Sequence, residues 1–250
     1  MVSLPRSVRF AAWATMWFEG RCDAQEVVDR VRGDDEPHEL EGSPSPDSLS
    51  HVLLFWRGSG ARGVSAALPQ PGDPFGLAGP LSLTESAVAA GEAVIAVGAP
   101  YALVPRVTAF GPPGDQGHFV AWVWHEASPP PSGPSIAQAD RELNEALLAA
   151  GRVLADLDVP AWRPEVAQLL EDVRAGKASA PLPHGYSQEA QALAARSARL
   201  WTIAEFALAD DGGAVTAAEA SARRDALRQL EQAARHGLTA ACNNRQRPLT

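Results

Sequence analysis

Pro129-Pro130-Pro131-Ser132-Gly133-Pro134 divides this 250-residue chain. Successive prolines favour extended polyproline geometry and fit the interior of neither helix nor sheet, so the stretch reads as a linker. Strand patterns stop before it and helical patterns strengthen after it. The expected fold class is therefore α+β, with an N-terminal α/β unit holding a small mixed sheet over residues 1–128 and a C-terminal antiparallel helical bundle over residues 135–242.

After the linker, Ser135 and Gln138 make a capping box, and Ile136, Leu143, Leu147, Ala150, Leu154 and Leu157 recur at helical spacing until Pro160. Trp162, Val166, Leu169, Leu170 and Val173 line a second helix. Ser187 caps a third, whose face runs through Ala190, Leu193, Ala194, Ser197, Leu200, Trp201, Ala204 and Leu208. Asp210-Asp211-Gly212-Gly213 interrupts the chain. Thr216 with Glu219 then opens a last helix that turns Leu227, Leu230, Ala234 and Leu238 inward, with Val215 and Ala220 as a hydrophobic staple. About four amphipathic helices with short connections pack as antiparallel neighbours.

Before the linker the pattern is mixed. Pro5 starts a helix to Glu19 with Phe10, Trp13 and Trp17 on one face, and Asp23 with Glu26 caps a second helix up to Gly33. Leu49 to Arg57 reads as a helix, Val64 to Leu68 as a strand, Thr84 to Ala90 as a helix closed by Gly91, and Ala93 to Val97 as a buried strand. Ala102 to Phe110 and His118 to Glu126 flank the turn-rich Gly111-Pro112-Pro113-Gly114-Asp115 and predict a hairpin at a sheet edge.

The net charge of −9 disfavours nucleic acid and anionic membranes as partners. Lys177 is the single lysine among 21 basic residues, a bias that together with abundant Ala, Gly and Pro points to a high-GC bacterium. Cys22 and Cys242 are too few for a disulfide framework or a thiolate zinc site, so reduced thiols in a cytoplasmic setting are expected. The apolar run Phe10 to Phe18 follows Arg6 and Arg9, yet lacks a small-x-small cleavage site and falls short of a membrane span.

No stretch carries a complete catalytic set. Gly58-Ser59-Gly60-Ala61-Arg62-Gly63 has dinucleotide-fingerprint spacing, but the following Val64 to Leu68 is strand-like where phosphate binding needs a helix N-terminus. On a strand, His118 joins Trp122 and Trp124 while His125 faces the other way, and His38, His51, His184 and His236 are scattered. No metal and no cofactor is expected.

The rigid loop Pro69 to Pro80 lies at a strand end, where ligands often bind, and Asp73 is its one ionisable group. Arg223, Arg224, Arg228 and Arg235 make the last helix the most basic element, continued by Arg245 and Arg247. These features support two expectations. The first is a non-catalytic binding or regulatory protein that presents the arginine-bearing helix to a protein partner, with homo-oligomerisation left open. The rival is a small-molecule binder or enzyme with a pocket between the halves, using Asp73 with Arg196, Arg199 and Glu205.

Overall fold

The computed structural model describes residues 4–112, 116–156, 182–209 and 216–244. It divides into two compact units: Pro5–Gly133 with Pro183–Gly185, and Met1–Leu4 with Pro134–Leu182 and Tyr186–Thr250. Each is taken by itself.

The first unit runs α1 (Arg6–Phe18), α2 (Ala24–Arg32), β1 (Glu39–Glu41), α3 (Leu49–Gly58), β2 (Val64–Ala67), α4 (Leu81–Ala90), β3 (Ala93–Ala96), β4 (Tyr101–Phe110) and β5 (Gly117–Glu126). The strands form one mixed sheet of order β1-β5-β4-β3-β2, antiparallel except for the parallel β1–β5 pair. Local chemistry sets several ends. The Asp23 carboxylate accepts from Glu26 N at 2.8 Å and caps α2, while Gly91 closes α4 at φ +74°, where a Cβ would be strained. The strand β2 directly follows Gly63, so the glycine run opens onto a strand.

The β4–β5 hairpin lies inside the sheet, because the three-residue β1 caps β5 at the edge. This corrects the edge placement expected from sequence. A run as short and acidic as Glu-Leu-Glu has no periodicity to betray it, and only pairing with Ala121–Val123 makes it a strand.

Strand alternation sorts the sheet into two faces. One face packs on α1 and α3: Phe10 stacks on Trp56 at 6.1 Å and meets Trp122 edge-on at 5.4 Å, and Trp124 contacts Phe55, Trp56 and Tyr101. The other face packs on α4, where Leu83 and Ala87 are buried with Ala67, Ala93, Ile95, Ala102, Val104 and Ala127. Alanine at so many of these positions keeps the sheet side smooth beneath α4.

The loop from Pro69 to Pro80 belongs to this packing. A Cβ on Gly76, at φ +85°, would lie 3.2 Å from the Ala67 Cβ, and Ser128 N donates to Ala78 O at 2.9 Å. The proline- and glycine-rich sequence therefore fits a loop that hugs the sheet.

The second unit holds α5 (Ile136–Asp156), α6 (Gln188–Leu208) and α7 (Ala217–Asn243). Ser187 caps α6 through Ala190 N, and Thr216 with Glu219 forms a full capping box on α7. The helix α7 packs on both α5 and α6 and runs antiparallel to them. Its C-terminal Asn244 donates to Pro134 O at 3.0 Å, and Tyr186 OH donates to Cys242 O at 3.1 Å. A Cβ on Gly237 would come within 2.5 Å of Ser197 Oγ, so glycine permits this close approach of α6 and α7. Ala139, Leu143 and Ala150 form the inward row of α5, while Leu147, expected inside, is exposed. The helix read at Trp162–Val173, the Val215 staple, the Asp210–Gly213 break and Arg245 and Arg247 lie outside the described residues.

Candidate protein-binding surface

The Asp35 carboxylate ties α1 to the outer part of β5 on the α1 face of the sheet. It receives Arg6 Nε at 2.7 Å and Arg6 Nη2 at 2.6 Å as a two-pronged pair, with Arg9 Nη2 at 3.6 Å and His118 Nδ1 at 3.6 Å nearby. Burial alone raises this carboxyl, but the Arg6 fork and the His38 contact outweigh it and hold Asp35 below the usual carboxylate range. Burial also lowers His38, against the pull of Asp35. Trp122 Nε1 can only donate, and it reaches His38 Nδ1 at 3.0 Å, so the neutral imidazole carries its proton on Nε2, 3.3 Å from Asp35 Oδ2.

An acid-oriented histidine is half of a nucleophile-activating relay, yet here its accepting nitrogen is occupied by an indole N–H. The chain Arg6–Asp35–His38–Trp122 is therefore a staple between α1, the segment leading to β1, and β5. Close by, Glu92 Oε2 accepts from Ser7 N at 2.7 Å at the first turn of α1. Burial pushes the Glu92 carboxyl up, against the hydrogen bonds from Ser7.

On the α4 face the hairpin is uncovered toward its turn. Val104 is buried, but every β4 residue from Arg106 to Phe110 is exposed. Register places Val104, Arg106, Thr108 and Phe110 of β4 on the α4 face with Val123, Ala121, Phe119 and Gly117 of β5, and Glu39 and Glu41 of β1 share it. Phe119 is 54% exposed and Phe110 38%, an exposure that neither ring needs for the fold. The two rings stack at 4.4 Å. Glycine at 117 makes room, since a Cβ there would meet the Phe110 ring at 2.4 Å. The aromatic pair is thus set in place before any contact is made.

Between α4 and this uncovered sheet lies a concavity of about 420 Å³, lined by Ser86, Ala89, Ala90, Val104, Arg106 and Val123 among others. Its polar groups are engaged. Ser86 Oγ lies 3.1 Å from His125 Nε2, and the Arg106 guanidinium is clamped by both Glu41 oxygens. Burial lowers His125. Ser86 lies within a helix, away from any strand-to-helix elbow, and no carboxylate among the described residues forms an ion pair with His125.

The sequence-expected residues fall elsewhere. Asp73 is half-buried in a tight turn, exchanging backbone hydrogen bonds with Gln70 at 2.9 and 3.0 Å. Arg196 donates to the Asp140 carboxylate at 2.5 Å, and Arg199 Nε donates to Ala195 O of its own helix. Glu205 is raised first by burial and then by Glu231. Asp73 belongs to the first unit and the other three to the second.

On α7, Arg228 is exposed and Arg224 half-buried, but Arg223 and Arg235 are 6% and 3% exposed, so the four arginines expected to meet a partner do not form one exposed surface. Arg223, Leu227, Glu231, Arg235 and Thr239 follow one another at four-residue spacing, so they share a row that packing against two neighbouring helices carries inside. Arg235 pairs there with Glu231 at 3.8 Å. Sequence reading missed Phe110, Phe119, Glu39 and Glu41: strand alternation puts Phe110 and Phe119 on a face but does not show that the face is bare, and the three-residue β1 carries no periodicity.

Among the described residues no group of three His, Cys, Asp or Glu side chains is placed to hold a metal ion, and no helix is long and apolar enough to cross a membrane. Burial pushes the Cys242 thiol up to about 12 and also raises Cys22, aided by Glu26 and Asp23, so neither is a ready thiolate. The chain matches the profile of the Rv1486c-like protein N-terminal domain over residues 7–135 and that of the Rv1486c-like protein C-terminal domain over residues 137–239. No curated protein and no solved structure matches it.

Proposed function

The chain belongs to the Rv1486c-like family, and from that premise we propose that it is a non-catalytic protein-binding module whose contact surface is the outer half of the β4–β5 hairpin. The observation that carries the reading is the exposed, glycine-seated Phe110–Phe119 stack. Exposed aromatic pairs cost solubility unless a partner covers them, and aromatic residues supply much of the binding energy at protein interfaces.

The neighbouring concavity supports a protein partner over a small molecule, because its serine and arginine already have partners and its walls are alanine and valine. The basic helix expected from sequence is a weaker candidate, since Arg228 alone of its four arginines is fully exposed. A reducing, cytoplasmic setting in a high-GC bacterium goes with this reading, supported by a cysteine count of two, too few for a disulfide framework, and the near absence of lysine.

The test is native purification from the host, with light scattering on wild type and on Phe110→Ser/Phe119→Ser. The expected result is a stoichiometric complex with wild type and a lone chain with the variant. Identical elution of the two would overturn the reading.

A further inference from the structure

Among the described residues, a helix-wide strip of the sheet beside α4 is left uncovered. That helix packs on β4 and reaches β5 at its near end, leaving β1, the middle of β5 and the outer part of β4 bare on the same face. A layer of helices over a sheet is the ordinary way to bury such a face, and one further helix lying alongside α4 would complete it. The floor of this strip is largely apolar: Val104, Val123 and Ala121 lead past Arg106 and Thr108 to the Phe110–Phe119 stack.

Its rims are acidic. Glu39 stands on the β1 side next to the Glu41–Arg106 pair, and Glu85 on α4, one turn before Ala89, is exposed on the other. Arg106, the one cation among the residues lining the concavity, is already neutralised by Glu41. An apolar floor between carboxylate rims, on a chain of net charge −9, is complementary to a helix with an apolar stripe flanked by Arg and Lys.

A partner strand fits less well. The β4 edge beyond Leu103 is unpaired toward β3, but Pro105 sits in it without an N–H, so strand addition would begin with a missing donor. Resting on the protein-binding reading above, we infer that the occupant of this face is a basic amphipathic helix of a partner protein, docked alongside α4 with its apolar stripe on Phe110 and Phe119.

The probe is a synthetic helix of about 18 residues, with Leu at i, i+3, i+4 and i+7 and Arg or Lys on both flanks, against an equal-length peptide with Glu in place of the cations. Binding to the full chain is measured by titration, and the footprint by amide shifts of Val104, Ala121 and Val123. The basic peptide is expected to bind and shift those amides, to weaken about tenfold with Phe119→Ser, and to weaken about threefold with Glu39→Gln/Glu85→Gln. The melting temperature of each variant is expected to match wild type, which separates lost contact from lost fold.

Equal binding of the two peptides, indifference to Phe119→Ser, or a footprint away from β4 and β5 would overturn the inference. So would light scattering that shows a second copy of this chain on the face. If the native complex is lost in Phe110→Ser/Phe119→Ser while the basic peptide fails these tests, the helix inference falls and the protein-binding reading stands. If the native complex survives that double substitution, the reading itself falls.

Discussion

On the α1 side of the sheet, β4 and β5 meet a layer of rings in which Phe10 touches both Trp56 and Trp122; on the α4 side the same strands end in two phenylalanines facing water. The first arrangement is closed by chemistry as well as by packing, since Trp122 is tied through His38 to Asp35 and Arg6. The second is equally ordered in its geometry, with Gly117 clearing space for Phe110, but nothing among the described residues covers it. The contrast teaches that aromatic side chains on one hairpin can serve two ends: stability where a helix lies over them and, in the function proposed above, recognition where none does.

Substitutions break this contrast in order of size. Trp122→Ala, on the closed side, removes a fully buried indole and leaves His38 without its donor; a loss of about 4 kcal/mol in unfolding free energy is expected from denaturant titration. Asp35→Asn removes the charge that the part-buried Arg6 guanidinium pairs with and is expected to cost about 2 kcal/mol at neutral pH. The sign with pH follows from its lowered folded value. The stability that Asp35 contributes is complete above the unfolded carboxyl value of about 4 and disappears as pH falls through the lower folded value, so wild type and variant converge in acid.

Glu92→Gln sharpens the same side from the opposite direction. Burial makes the folded chain hold the Glu92 proton to higher pH than the unfolded chain does, so this residue takes stability away as pH rises above about 4.3. Glutamine still accepts from Ser7 N. The variant is therefore expected to keep its stability at low pH and to show a flatter decline toward neutrality in unfolding midpoints measured across pH. The smallest effect belongs to the open side: Phe119→Ser is expected to change unfolding free energy by no more than about 0.5 kcal/mol. A loss there as large as that of Trp122→Ala would mean the two sides do the same job.

Much of this fold was legible from local signals. Caps at Asp23, Ser187 and Thr216 and the closing glycine at Gly91 marked helix ends because each acts within a few residues of chain. What stayed hidden depended on distance in sequence. β1 exists only through its partner 82 positions away (Glu39 with Ala121), and the Asp35 staple joins residues 29 and 84 apart in its Arg6–Asp35 and His38–Trp122 links. The buried arginines of α7 were misread because a stripe drawn for one neighbour is narrower than the face that two neighbours bury. The candidate surface escaped for a further reason: alternation shows which residues share a face, but which part of that face a helix leaves bare is decided by tertiary packing.

Hydrogen exchange on the chain in its native complex, compared with the chain alone, tests the division of labour most directly. The account predicts new protection confined to amides of residues 106–110 and 117–121, with the Trp122 surroundings already protected in both states. Protection that instead gathers around Arg228 on α7, or none on the hairpin, would contradict it.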